Sequence, residues 1–168
     1  MMALKVNGVE ISGASSTITI AVPAFRATGS AGWTNVTAGS VAPFNACVSG
    51  GNNIQTNHDA LLNYDASNYR FTAPVDGTYL FYASLYTHND ANQETYSFYK
   101  NGSAMNVYDS GSQFFNTQFP NAEDNHSHMQ MTTELATNDY IDCRGTNNDC
   151  DVYMSYSLFG GYLIGKKR

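Results

Sequence analysis

Apolar and polar side chains alternate one by one along the clearest stretch of this chain. In Thr78-Tyr79-Leu80-Phe81-Tyr82, Tyr79 and Phe81 face one way, and Thr78, Leu80 and Tyr82 the other, which is the period of a β-strand. Just before it, Phe71 closes another strand, and residues 74–77 (Pro-Val-Asp-Gly) form the tight turn between the two. Thr17-Ile18-Thr19-Ile20 alternates in the same way. Lys5-Val6-Asn7-Gly8-Val9-Glu10 sets an Asn-Gly pair between β-formers, the strongest short signal of a hairpin. Residues 12–16 are small and read as a linker. No window repeats apolar residues at i, i+3 and i+4, and Ala60-Leu61-Leu62 is too short to count as a helix. The pattern predicts an all-β chain interrupted by two polar loops, 46–57 and 111–128. Phe114, Phe115 and Phe119 lie in the second and are candidate ligand-facing residues, because loops on a rigid β scaffold carry binding.

Composition sharpens this reading. The 168 residues suit one domain with a real core, and 12 Tyr, 9 Phe and 14 Gly with only 13% charged residues describe a β protein. The tyrosines of the expected strands, among them Tyr82, Tyr86, Tyr96, Tyr99, Tyr153, Tyr156 and Tyr162, are expected in the core or between subunits, where a ring is buried and one hydroxyl partner suffices. A net charge of −6 argues against a nucleic-acid partner, which demands clustered Lys and Arg; the basic run 166–168 reads as a solvated tail. No apolar run reaches membrane-spanning length and the opening lacks the layout of a signal peptide, so neither membrane insertion nor export is expected. Cys47, Cys143 and Cys150 make an odd count without zinc spacing. Separate thiols are expected, a Cys143–Cys150 bridge across residues 144–149 being the competing reading.

Candidate chemistry is sparse. There is no Gly-x-Ser-x-Gly, no phosphate-binding loop and no evident carboxylate pair, so no enzyme is expected. The metal-like motif is His126-Ser127-His128. In a strand the two imidazoles share a face, and on a three-fold axis three pairs would supply six nitrogens to one ion. Ordinary exposed loop histidines are the favoured reading, the metal site the alternative. Carboxylates such as Asp65, Asp76 and Asp109 are hard oxygen donors, but no twelve-residue calcium loop is present. The dense polar run Asn147-Asn148-Asp149-Cys150-Asp151 reads as a turn.

Six motifs, in order, resemble one family. Ala24-Phe25-Arg26-Ala27, Val41-Ala42-Pro43-Phe44-Asn45, Asn63-Tyr64-Asp65 with the central Phe71-Thr72-Ala73-Pro74-Val75-Asp76-Gly77-Thr78-Tyr79-Leu80-Phe81, Lys100-Asn101-Gly102, residues 135–141, and Phe159-Gly160-Gly161-Tyr162-Leu163-Ile164 are similar to the globular heads of complement 1q and the tumour-necrosis-factor-like proteins. The chain departs from the pattern at two glycines, near Asn68-Tyr69 and at Asn138. The resemblance implies a two-sheet antiparallel jelly roll over residues 23–165 that assembles as a homotrimer. It makes Tyr79, Phe81 and Tyr162 candidates for trimer packing.

The opening Leu4-Lys5-Val6-Asn7-Gly8-Val9-Glu10-Ile11 resembles the start of tailed-phage fibre and virion proteins, and trimeric phage spikes use His-x-His for metal. Together these resemblances imply a virion protein made without a signal peptide. Residues 1–22 would dock on other virion proteins, the head would recognise a host-surface glycan or protein, and no cofactor beyond an axial metal ion is expected. A capsid cement protein and a free lectin-type module are the competing readings.

Overall fold

The described residues build mostly strands, in chain order β1 (Leu4–Val6), β2 (Val9–Ile11), β3 (Ala24–Thr28), β4 (Trp33–Val36), β5 (Ala46–Cys47), β6 (Tyr64–Asp65) and β7 (Arg70–Thr72). They continue with β8 (Gly77–His88), β9 (Thr95–Lys100), β10 (Ser103–Ala104), β11 (Asn125–Leu135), β12 (Tyr140–Asn147), β13 (Cys150–Tyr153) and β14 (Leu158–Lys166). A 3-10 turn, Met154–Tyr156, separates the last two. The structure, a computed structural model, describes residues 4–6, 9–11, 22–30, 32–47, 63–88, 95–105, 125–147 and 150–167.

β1 and β2 pair with Val6 opposite Val9, in a two-stranded sheet that joins neither of the others. The other strands form two antiparallel sheets. β8 is the spine of the first, with seven strands. β11 pairs along its full length, from Gly77 opposite Leu135 to Thr87 opposite Asn125. The other side of β8 is taken first by β14 and then by β13. β3 pairs with β14, β5 with β3, and β4 with β13. The second sheet runs β10-β9-β12-β7-β6. Two antiparallel sheets face to face give the expected jelly roll.

Alternation decides which residues fill the space between them. Phe25, Tyr79, Phe81, Leu85, Met129, Leu135 and Phe159 come from the first sheet, and Tyr64, Phe71, Phe98, Ile141 and Cys143 from the second, all buried. Phe25 stacks on Tyr64 at 4.8 Å and on Phe71 at 4.9 Å, and meets Phe159 edge-on at 4.8 Å. Buried tyrosines bring a partner for the hydroxyl: Tyr64 donates to the Phe44 carbonyl and Tyr79 to the Val75 carbonyl, both at 2.8 Å. Tyr79 and Phe81 are therefore core residues of the single chain, not trimer-packing residues as the resemblance implied. Their parity places both on the sheet's inner face.

The two missing glycines acquire a physical meaning. Tyr69 and Asn138 both hold positive φ, 57° and 73°, the left-handed region that glycine enters most cheaply and asparagine tolerates. Each sits in a turn, between β6 and β7 and between β11 and β12, so the change of residue leaves the chain path intact. The expected loop 111–128 is corrected at its end: residues 125–128 are already β11, held there by pairing with β8.

Carboxylates lock the turns. Asp139 accepts from the Ala136 N–H at 2.8 Å and the Asn101 amide at 2.7 Å, and pairs with Lys100 at 2.9 Å. Asp76 accepts from both the N–H and the hydroxyl of Thr137 at 2.7 Å, tying the turn before β8 to the one after β11. The Lys100 and Asn101 contacts hold Asp139 down at about 2, and the Ser67 hydroxyl and N–H hold Asp65 at about 2. Folded values below the unfolded value of about 3.9 mean that the stabilisation is complete above that pH and is lost as pH falls toward 2. We expect the melting temperature to drop between pH 4 and pH 2, on the order of the gap between those carboxyl values. In Asp139→Asn the drop should be smaller and the starting stability lower by about 1 kcal/mol. An identical pH profile in the variant would show that this carboxylate is not part of the acid response.

Candidate functional site

The residues of β8 that do not face the core are not all polar. Leu80, Tyr82 and Tyr86 share the sheet's outer face, and so do Trp33 of β4, Tyr153 of β13 and Tyr162 of β14, by their register with it. At one end the rings form a continuous layer. Trp33 meets Tyr153 edge-on at 5.0 Å and Tyr86 at 5.8 Å; Tyr156, on the 3-10 turn, lies 4.7 Å from Tyr153 and 5.7 Å from Tyr86. These contacts leave Tyr156 64% and Trp33 46% exposed, and farther along the same face, opposite Leu80, Tyr162 is 43% exposed. Of the described exposed large apolar residues, Val22 alone lies outside this sheet's strands and the 3-10 turn, Ile164 of β14 being the other. A concentration of rings on one face, where a lone exposed apolar residue would be ordinary, marks an interaction surface.

The middle of the face depends on a glycine. A Cβ on Gly160 would lie 2.5 Å from the Tyr82 ring, so the ring lies flat across β14 because that position has no side chain. Gly161 does the same on the inner face for Phe81, at 2.6 Å. Burial raises the Tyr82 hydroxyl above its ordinary value, with Arg26 pulling the other way. Beside Tyr82, an open groove of about 720 Å³ is lined by Ser84, His128, Gln130 and Leu158.

His126 and His128 stand on this same face, on β11. Their rings are parallel within 8°, with centroids 6.2 Å apart, and His126 lies 4.7 Å from the Tyr86 ring. Both are exposed, on a strand and not on a loop. Among the described residues, no group of three or more His, Cys, Asp or Glu converges as a metal site.

No protein-family model matches the sequence, and the search of curated proteins finds no match. Solved structures do match. The structure of Eiger TNF from S. frugiperda superposes with a TM-score of 0.63 at 14% identity, over 89% of this chain and 96% of that one. The globular domain of zebrafish complement 1qA superposes with a TM-score of 0.61 at 13% identity, over 87% of this chain and 99% of that one. The fold is the complement 1q and TNF-like jelly roll.

Within that jelly roll the sequence-derived candidates separate. Tyr162 is exposed on the outer face, in the aromatic surface, while Tyr79 and Phe81 are inside. Phe114, Phe115 and Phe119 lie outside the described residues. Cys143 is a buried free thiol of the second sheet, its ionisation pushed up by burial, whereas Cys150 opens β13 in the first. Asp65 and Asp76, weighed as metal donors, accept hydrogen bonds from turn amides and hydroxyls. Sequence reasoning expected Tyr86, Tyr153 and Tyr156 in the core or between subunits, and did not foresee that they meet Trp33 in one layer on the outer face. One signal for part of it was present: β8 carries aromatic residues on both parities, which means that both of its faces are meant to be covered.

Proposed function

We propose that this chain is a non-enzymatic bacteriophage virion protein whose jelly-roll head forms a homotrimer and is displayed on the particle for host-surface attachment. The observation that carries self-association is the exposed aromatic face of the seven-stranded sheet. A single chain leaves Trp33, Tyr156 and Tyr162 open to water there, and closing three copies on such a face removes that apolar area from solvent. The two neighbours named above are a TNF and a complement 1q domain, which agrees with a binding head. Three heads per knob and many knobs per particle turn weak contacts into avidity. Neither nucleic acid nor membrane is a proposed partner.

Residues 1–22 are proposed to attach the head to other virion proteins. Two observations support this: the opening resembles phage fibre proteins, and among the described residues β1 and β2 form a sheet of their own, separate from the two sheets of the head. A segment with strand-forming sequence but too little apolar surface for a core of its own is suited to adding strands to a partner. Chain lacking residues 1–22 should fold, keep its oligomeric state and fail to join purified particles that lack this protein. Normal incorporation of the truncated chain would place the contact on the head instead and favour a cement protein of the capsid.

A further inference from the structure

We propose that His126 and His128 chelate a transition-metal dication, one per chain. The two residues are separated by one position on β11, so both side chains project from the outer face while Ser127 turns away. Every residue of β11 is paired with β8, which holds the two attachment points at a fixed spacing. The rings already lie parallel, 6.2 Å apart, and both are exposed. Rotation of exposed side chains between staggered wells costs little and brings one nitrogen of each toward a shared ion, at the ~2.0–2.1 Å of an imidazole–metal bond. The Tyr86 ring closes one flank of His126 and narrows the directions in which it can swing.

The donor set decides the class of ion. Two imidazole nitrogens, with no third His, Cys, Asp or Glu converging on them among the described residues, suit copper, nickel or zinc and offer little to calcium or magnesium. Water completes the coordination. β11 lies at the side of its sheet, its far edge unpaired among the described residues, so an ion can approach from that edge even if copies close on the face. The inference therefore stands apart from the trimer reading.

The test is titration of the untagged full-length chain with aqueous Cu²⁺, read by calorimetry and by electron paramagnetic resonance. One ion per chain with two coordinating nitrogens is expected. His126→Ala and His128→Ala should each weaken binding by about tenfold or more, since the second nitrogen no longer binds intramolecularly. His126→Gln and His128→Gln should do the same with unchanged circular dichroism, and His58 and His88 remain in every variant as internal controls. Unchanged affinity in both single variants, one ion per three chains, or no binding at about 0.1 mM Cu²⁺ would overturn the proposal. Light scattering on the same samples reports the trimer independently.

Discussion

Phe159→Ala should lower the stability of the head by about 3–5 kcal/mol, a large part of what a single domain possesses. Phe159 is completely buried, and its ring touches both sheets. It lies 4.8 Å from Phe25 and 6.4 Å from Phe81 in its own sheet, 5.8 Å from Phe98 and 6.1 Å from Tyr64 in the other, and 5.7 Å from Phe44. Truncation leaves a void walled by stiff rings, and stiff rings collapse poorly into a void. In urea the midpoint should fall steeply, and the melting temperature should drop by roughly 10 °C or more. Phe159→Leu, which keeps most of the volume, should lose distinctly less. A midpoint unchanged by Phe159→Ala would mean that the two sheets are not held together by this aromatic layer.

If the chain forms the proposed trimer, Tyr86→Glu should convert it to monomer at micromolar concentration while leaving the chain folded. Tyr86 is the hub of the outer face, in contact with Trp33, Tyr153, Tyr156 and His126. It contributes nothing to the space between the sheets, because its parity is opposite to that of Tyr79, Phe81 and Leu85. If copies close on this face, a buried tyrosine at its centre carries about 2 kcal/mol or more of binding. A carboxylate in its place would be desolvated without a partner, at a cost of several kcal/mol more. Light scattering should report one chain where the parent reports three, with an unchanged far-ultraviolet spectrum. A variant that remains trimeric would move the interface off this face; a parent that is already monomeric would end the trimer reading.

The strand and its parity were legible in the sequence around residue 79. Thr78 to Tyr82 alternates cleanly, and the structure keeps that alternation along all of β8. The ordered motifs from Ala24 to Ile164 also carried the fold, and their two departures from glycine fell on the positions, Tyr69 and Asn138, where the backbone takes positive φ. That follows from the physics of turns: a local sequence specifies local dihedrals. The antiparallel pairing of β1 with β2 was signalled by the Asn-Gly pair between them. His126 and His128 sharing a face followed from the period of two, although their loop was expected to end later than it does. The strand there is imposed by β8, which lies some forty residues away in sequence and whose partner cannot be read from β11 alone.

Periodicity by itself determined that this chain is all-β, and which residues share a face; the two-sheet jelly roll came from the resemblance of its ordered motifs. Only the tertiary structure decided which face is inside. Tyr79 and Phe81 were equally suited, by composition and parity, to a subunit interface or to the core; pairing of β8 with β14 and packing against Phe71 and Phe98 placed them in the core. The same packing turned Tyr82, Tyr86 and Tyr162 outward, and the register of β4 and β13 brought Trp33 and Tyr153 beside them. The physical reason is that alternation fixes relative orientation along one strand, while the choice between buried and exposed belongs to contacts between strands distant in sequence.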